Sequence, residues 1–336
     1  MPSILSRPLG RLVAAGVVLV VVALGWFALQ VDPIFSSAGK QVIVTVHPGD
    51  SIATIAAEMH AKGVIASPLA FRIYAILGAP VVQAGSYEIA QGSSFAKVRS
   101  VFGSAPNVQV ADVSAGMTLH EVALTIANAV GTTWADSFVK AATNDATNSP
   151  FAKGRSLEGL IGVGQYIIAP GTTPAQLARR MVDGFTREAS SVGLTPSTAL
   201  NGLDAYQLVI AASIVEKEGY YPKNMPKVAR VIFNRLKRGG PLQMDATVLY
   251  FLGLDGGTVT HAMLQTATPY NTYLNPGLTP TPICAVSTIA LDAVLHAPPG
   301  PWLYFTLVNK DGTMAFATTF AEQLANEKIA QQNGIG

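Results

Sequence analysis

Glu216 and Glu218, in the stretch ASIVEKE, close an apolar run that begins after Asp204, and they are the first residues suited to acid–base chemistry. Read as a helix at about 100° per residue, the run places Glu218 on a stripe with Gln207, Ala211 and Ile214. Glu216 falls about 160° away, beside Val209 and Ala212. The two acids therefore face different surroundings. Glu218 lies in the last turn, where the partial negative charge of the helix end and partial burial both disfavour ionisation. Either effect raises its pKa, as an acid catalyst at neutral pH requires. Glu216 is expected to pair with a basic side chain of the next helix, Arg230 or Arg235. Spacing alone leaves two readings of Glu218 open: a catalytic acid at a cleft edge, where Gly-Tyr-Tyr-Pro turns the chain, or a solvated or salt-bridged residue.

Polar and aromatic groups follow in two clusters: Gln243, Asp245, Thr247 and Tyr250, then Tyr270, Asn271, Thr272 and Tyr273 in a Pro-bounded loop. Amides, hydroxyls and ring faces are what a carbohydrate groove offers, since sugars present hydroxyls to bond and apolar ring faces to cover. The same Asn and Thr groups can instead satisfy the loop's own backbone. The histidines (47, 60, 120, 261 and 296) are scattered without ligand spacing, and Cys284 is alone. No metal, no cofactor and no intramolecular disulfide is expected. GVGQY lacks the Gly-Lys-Ser/Thr ending of a phosphate loop.

The elements that must hold these residues are legible around them. Asp204 can cap the helix AYQLVIAASIVEKE, which is apolar nearly all round and so reads as buried. Pro226 sits at the start of the next helix, KVARVIFNRLKRGG, and glycines close it. LQMDATVLYFLG, a turn-rich region over 268–282 and the helix STIALDAVLHA come next. WLYFTLV and MAFAT read as strands, and a last helix runs from Phe320 to about Gln331. Upstream, Thr118 and Glu121 form a capping box for LHEVALTIANAV, and Pro174 opens AQLARRMVDGFTREA. Gln109 to Val113 reads as a strand; 131–170 yields no clear element. Farther back, VIVTV (strand), SIATIAAEMHAKG (helix), Pro68 to Leu77 (helix, punctuated by Gly78 and Pro80) and QAGSYEIAQGSS (strand or hairpin) make a small α+β module over 41–103.

At 336 residues the chain has room for about two domains. Its balance of 49% apolar and 12% charged residues excludes a disordered chain, and a net charge of +2 leaves no electrostatic footprint for nucleic acid. Leu12 to Val31 carries no ionisable side chain; at 1.5 Å per residue it spans about 30 Å, one bilayer core. That length exceeds the apolar core of a signal peptide and no clean A-x-A site follows, so an uncleaved anchor is expected. Arg7 and Arg11 precede the span, which puts residues 1–11 in the cytoplasm, a linker at 32–40 outside it and the rest of the chain beyond.

Several stretches together resemble one family, the endolytic peptidoglycan (murein) transglycosylases of the YceG-like type. They are ASIVEKE (212–218), VARVIFNRLKRG (228–239), LQMDATVLY (242–250), TPYNTYLNPGLTPTPIC (268–284) and WLYF (302–305). VTVHPGDSIATIAAEMHAKGVI (44–65) resembles the family's LysM-like subdomain, and AGSYEI (84–89) its following strand. The resemblance implies an α+β fold: the anchor, the LysM-like module at 41–103, an intermediate α/β region at 104–200 and a catalytic region at 201–333. It also implies a lyase at the cytoplasmic (inner) membrane, facing outward. Glu218 would be its catalytic residue and Glu216 a supporting one; on the reading of the residues themselves, Arg230 and Arg235 support them, and Gln243, Asp245, Thr247, Tyr250, Tyr270, Asn271 and Tyr273 are expected to bind substrate. Such enzymes act on peptidoglycan glycan strands beside synthases and the elongation or division machinery. The LysM-like module is open to two readings, a glycan binder or a spacer. A hydrolase of the same polymer and a binding scaffold without activity are the competing functions.

The sequence departs from the family pattern at named positions. After Leu157-Glu158-Gly159, Gly164 and Gln165 stand where Pro and Asp are expected. Ala246 stands where Pro is usual, Ala285, Val286 and Ser287 replace an Asn-Pro-Gly-like turn, and Gln323 replaces a His. None of these is Glu218.

Overall fold

A computed structural model of the chain describes residues 6–32, 39–76, 78, 82–104, 106, 108–143, 149–169, 171–219 and 221–335. Of the sequence expectations, most of the linker (33–38), Leu77, Pro80, Pro170, Tyr220 and the side chains of Arg7 and Arg11 lie outside the described residues. The chain divides into two compact units, Met1–Gln109 and Val110–Gly336.

The first unit begins with α1 (Ser6–Val31). Its window Ala14–Val31 has a mean hydropathy of 2.3 with none of it buried, so this helix is long and apolar enough to cross a membrane. Then follow β1 (Gln41–Val46), α2 (Ile52–Ala61), α3 (Pro68–Ile76), β2 (Gly85–Ala90) and α4 (Phe95–Phe102). β1 and β2 pair antiparallel with Val44 opposite Tyr87. Ser51 and Ser94 cap α2 and α4 through their hydroxyls. Ile55, Met59, Phe71, Tyr87, Phe95 and Phe102 fill the core, where Phe71 meets Phe95 edge-on at 5.2 Å. Helix α4 is an element that the sequence reading did not separate from the strand before it.

The second unit holds β3 (Gln109–Val113), α5 (Leu119–Val130), α6 (Thr132–Thr143), β4 (Gly164–Ile168) and α7 (Pro174–Ser191). Next come β5 (Ala199–Leu200), β6 (Leu203–Asp204), α8 (Ala205–Glu218), α9 (Met225–Lys237), α10 (Asp245–Phe251) and α11 (His261–Leu264). The unit ends with α12 (Thr288–Leu295), β7 (Tyr304–Leu307), β8 (Met314–Ala317) and α13 (Phe320–Gln332). Strands pair only in twos among the described residues: β3 with β4, β5 with β6 and β7 with β8. The core is therefore helical, with two-stranded ladders beside it (β5–β6 and β7–β8 as hairpins, β3–β4 bridging across α5 and α6), an α+β arrangement. α6 and β4 resolve part of the segment over 131–170 that periodicity left without an element.

Helix α8 runs through the centre and packs on α9, α10 and α12. Ala205, Tyr206 and every residue from Leu208 to Val215 are buried, which accounts for its apolar character on nearly all sides. Each buried Leu, Ile or Val contributes about 1.5–3 kcal/mol of transfer free energy, so this helix is fixed by packing rather than by propensity. Asp204 caps it, with Gln207 reaching back to the Asp204 amide. A helix so held is a rigid mount for whatever its last turn carries.

Candidate active site around Glu218

α8 stops at Gly219. A Cβ there would stand 2.6 Å from Met225 Cγ and 2.8 Å from the Val215 carbonyl oxygen, so only glycine lets the chain turn this tightly into α9. Glu218 is the last helical residue before that turn. Its Oε1 accepts the Ala246 backbone N–H at 3.1 Å. α10 has no side-chain cap, since Met244 precedes it, so the carboxyl satisfies one of the donors that the start of a helix leaves unpaired.

Glu218 is half-buried as a residue, and protein crowds its carboxyl. That desolvation pushes its pKa from 4.5 up to about 7. The Ala246 amide and the charge of Arg235 act in the opposite sense, and the Asp245 carboxylate adds to the rise. A carboxyl poised near 7 can give a proton and take it back at neutral pH, the property a general acid needs.

Around it, Asp245 Oδ1 accepts the Tyr273 hydroxyl at 2.5 Å. Burial and then Asp245 push the Tyr273 phenol up. Arg235 donates through Nε to the Leu303 carbonyl at 2.7 Å and through Nη1 to the Leu242 carbonyl. It lies over the Tyr304 ring at 5.4 Å, and burial lowers its pKa. Arg235 thus acts on Glu218 as a fixed positive charge bound elsewhere. Gln243 is exposed; its backbone adopts φ +52° and its N–H donates to the Thr272 carbonyl at 2.9 Å.

Other expected residues have different duties. Glu216 does not reach Arg230 or Arg235. Its Oε2 accepts both the N–H (2.8 Å) and the hydroxyl (2.6 Å) of Ser287, the N-cap of α12. The reason is the angular offset along α8: Glu216 faces α12, while Arg230 turns to the carbonyls of Ala297 and Pro298, each at 2.6 Å. Thr247 is fully buried and bonds the Met244 carbonyl and Thr272 Oγ1, so it cannot line a groove. Asn271, also fully buried, donates to the carbonyls of Leu264 and Thr266, and its Oδ1 accepts the Tyr273 N–H. For Asn271 and Thr247 the self-satisfying loop is what the chain builds. Tyr270 bonds Thr281 through its hydroxyl at 2.9 Å and packs on Phe251 and Tyr250. Tyr250 donates its hydroxyl to Glu158 at 3.0 Å. The structure thus gathers Glu218, Asp245, Tyr273 and Arg235 and assigns Thr247, Asn271 and Glu216 to the framework.

Glu158 is the carboxyl that spacing did not single out. It is only 6% exposed, and burial raises its pKa from 4.5 to about 7. The available signal was a lone acid inside the apolar, glycine-punctuated run LEGLIG.

The departures from the family pattern have local accounts. Ala246 supplies an N–H to Glu218 that proline lacks. Ala285 exchanges backbone bonds with Gly116 and Met117, and Val286 is buried. Gln323 donates to Thr306 Oγ1 at 2.6 Å, tying α13 to β7. Gln165 is exposed on β4, and Gly164 has φ +142°.

The sequence matches the profile of the YceG-like family over residues 44–329. An endolytic murein transglycosylase of Bacillus subtilis (strain 168) is 29% identical over 323 residues, covering 90% of this chain and 89% of that protein. One from Streptococcus pneumoniae serotype 2 (strain D39) is 25% identical over 319 residues, 85% of this chain and 57% of the relative. A 2.6 Å crystal structure of a yceG-like protein from Listeria monocytogenes shares the fold, with a TM-score of 0.58 at 22% identity. The match covers 85% of this chain and 98% of that one. With most of its length inside the matched region, the chain belongs to the YceG-like family.

Proposed function

We propose that this protein is an endolytic murein transglycosylase in which Glu218 is the catalytic acid and base. The observation that carries the reading is the Glu218 carboxyl, mounted on a buried helix and raised to about 7 by desolvation. The B. subtilis and S. pneumoniae relatives bearing that activity support it.

Protonated Glu218 gives its proton to the glycosidic oxygen between N-acetylmuramic acid and N-acetylglucosamine as the C1–O bond breaks. The C6 hydroxyl oxygen of the same muramoyl residue attacks C1, and the Glu218 carboxylate takes its proton. One bond breaks, one forms and the acid is regenerated, so no water is consumed and the strand ends in a 1,6-anhydromuramoyl residue. The usual glycosidase pair needs a second carboxyl about 5–9.5 Å away as nucleophile or base; an internal nucleophile removes that need. Asp245, Tyr273 and Gln243 are the polar groups best placed to position the sugar, and Arg235 would stabilise the carboxylate form of Glu218 after proton transfer. Within this reading, α1 anchors the chain with Arg7 and Arg11 on the cytoplasmic side, so the enzyme meets strands near the synthases that make them. The 41–103 module would then serve as a LysM-like glycan contact or a spacer.

The test is product analysis by mass spectrometry. Full-length protein in detergent, wild type and Glu218→Gln, is incubated with uncrosslinked glycan strands. Internal fragments with 1,6-anhydro ends from the wild type alone are expected. Reducing ends that carry added water would instead make it a hydrolase, and binding without cleavage a scaffold.

A further inference from the structure

Glu158 is a buried carboxyl that the reaction above leaves unused. Its Oε1 accepts the N–H of Leu119, the first residue of α5, at 2.9 Å, and its Oε2 accepts the Tyr250 hydroxyl at 3.0 Å. The segment that carries it cannot shift freely. Gly159 adopts φ +71°, and a Cβ there would lie 2.3 Å from Pro282 Cβ and 2.9 Å from the Cys284 carbonyl oxygen. Burying an acid is costly unless its oxygens are bonded, and this one has both oxygens occupied by groups from two different helices. The titratable groups that line the adjoining cavity with it are Glu121 and His120 of α5, Lys217 of α8, Tyr250 of α10 and Asp255 just beyond α10. Lys217 is itself committed to Asp255 and the Gly116 carbonyl.

Tyr250 and Ala246 stand four residues apart on α10, so they share a face. That face is tied at both ends: Ala246 to Glu218 and Tyr250 to Glu158. Seven residues are far too few for a helix to hold its place alone, so tertiary bonds must orient α10.

The geometry points to Glu158 as a positioning residue for Glu218: by holding the Tyr250 hydroxyl it fixes α10 and keeps the Ala246 amide on the Glu218 carboxyl. The inference rests on Glu218 being the catalytic acid. Loosening α10 withdraws a hydrogen bond that lowers the Glu218 pKa, so the pKa rises and the reacting group loses its alignment. The bond network tolerates an amide, because Gln at 158 can accept from Leu119 through its oxygen and donate to the Tyr250 oxygen through its nitrogen.

The test measures kcat, KM and the pH profile of full-length Tyr250→Phe, Glu158→Leu, Glu158→Gln and Glu218→Gln, with hydrogen exchange over residues 243–251. Tyr250→Phe and Glu158→Leu are expected to lower kcat about 10- to 100-fold with KM changed less than about threefold. They should also move the alkaline limb of the profile upward and speed exchange in α10. Glu158→Gln is expected to restore most of kcat with the limb at its wild-type position. Tyr250→Phe removes one hydroxyl from an otherwise equal ring, so it carries the test if Glu158→Leu fails to fold. Wild-type kinetics and exchange in Tyr250→Phe would overturn the positioning role. So would a Glu158→Gln as impaired as Glu158→Leu, which would make the charge itself essential. A fully active Glu218→Gln would remove the catalytic reading and this inference with it. An inactive Glu218→Gln beside an unaffected Tyr250→Phe would remove the positioning role alone.

Discussion

The Ala246 amide donates to Glu218 Oε1 at 3.1 Å, and among the described residues it is the one backbone donor that holds the raised pKa of this acid in check. Proline at 246 deletes that donor with little other change. Position 246 is the second residue of α10, and Pro226 already occupies the second position of α9. A hydrogen bond to a charged group is worth about 1.5–3 kcal/mol, so its loss should raise the Glu218 pKa by about one unit or more. In the proposed reaction Glu218 acts from its protonated form, so activity falls as pH rises through that pKa. In Ala246→Pro the alkaline limb of the pH–kcat profile should therefore move up by about one unit. An unmoved limb would separate Glu218 from the titrating group.

The same desolvation has a cost in stability. The folded-state pKa of Glu218, about 7, stands above the ordinary 4.5. Its contribution is fully present below about pH 4.5 and is lost as pH rises through 7, because the fold disfavours the charge. The difference corresponds to at most about 3 kcal/mol. Glu218→Gln, which never ionises, should melt at the wild-type temperature near pH 4 and several degrees higher at pH 8. Thermal melts across that range decide it, and a constant offset would place the carboxyl in a wet site.

Much of this site is legible from residue order, and the failures have a common cause. α8 could be read because its cap and apolar run are local, and the last turn of that run holds Glu218. The capping box at Thr118 and Glu121 is equally local. What spacing missed depends on distant partners: Glu216 bonds Ser287, Thr247 bonds Thr272, and Glu158 meets Leu119 and Tyr250. Asn271 bonds within its own loop, to Leu264, Thr266 and Tyr273, which is one of the two readings the sequence left open. α4 was missed because its Ser94 cap sits in the polar run QGSS, which reads as the turn closing the strand before it.

Glu216 should prove structural. Its Oε2 accepts two bonds from Ser287, which caps α12 by accepting the Ala290 N–H. Glu216→Ala removes a charged acceptor and loosens that cap, at about 2 kcal/mol, read as a lower denaturation midpoint. The alkaline limb of the kinetics should stay in place. A shifted limb with unchanged stability would bring Glu216 into the chemistry instead.

Asp245 acts on Glu218 in the opposite sense to its neighbour Ala246. Its carboxylate raises the Glu218 pKa by repulsion, the amide lowers it, and the two residues are adjacent in α10. Asp245→Asn keeps an acceptor for the Tyr273 hydroxyl while removing the charge. The alkaline limb should move down by about half a unit, because Asp245 is exposed and water screens it. Raising salt from 0.05 to 0.5 M should shrink the gap between variant and wild type, since the Debye length falls below about 5 Å. The Ala246→Pro shift, which comes from a direct bond, should survive the same salt. Equal salt sensitivity in both variants would mean that the amide acts only as part of a diffuse field.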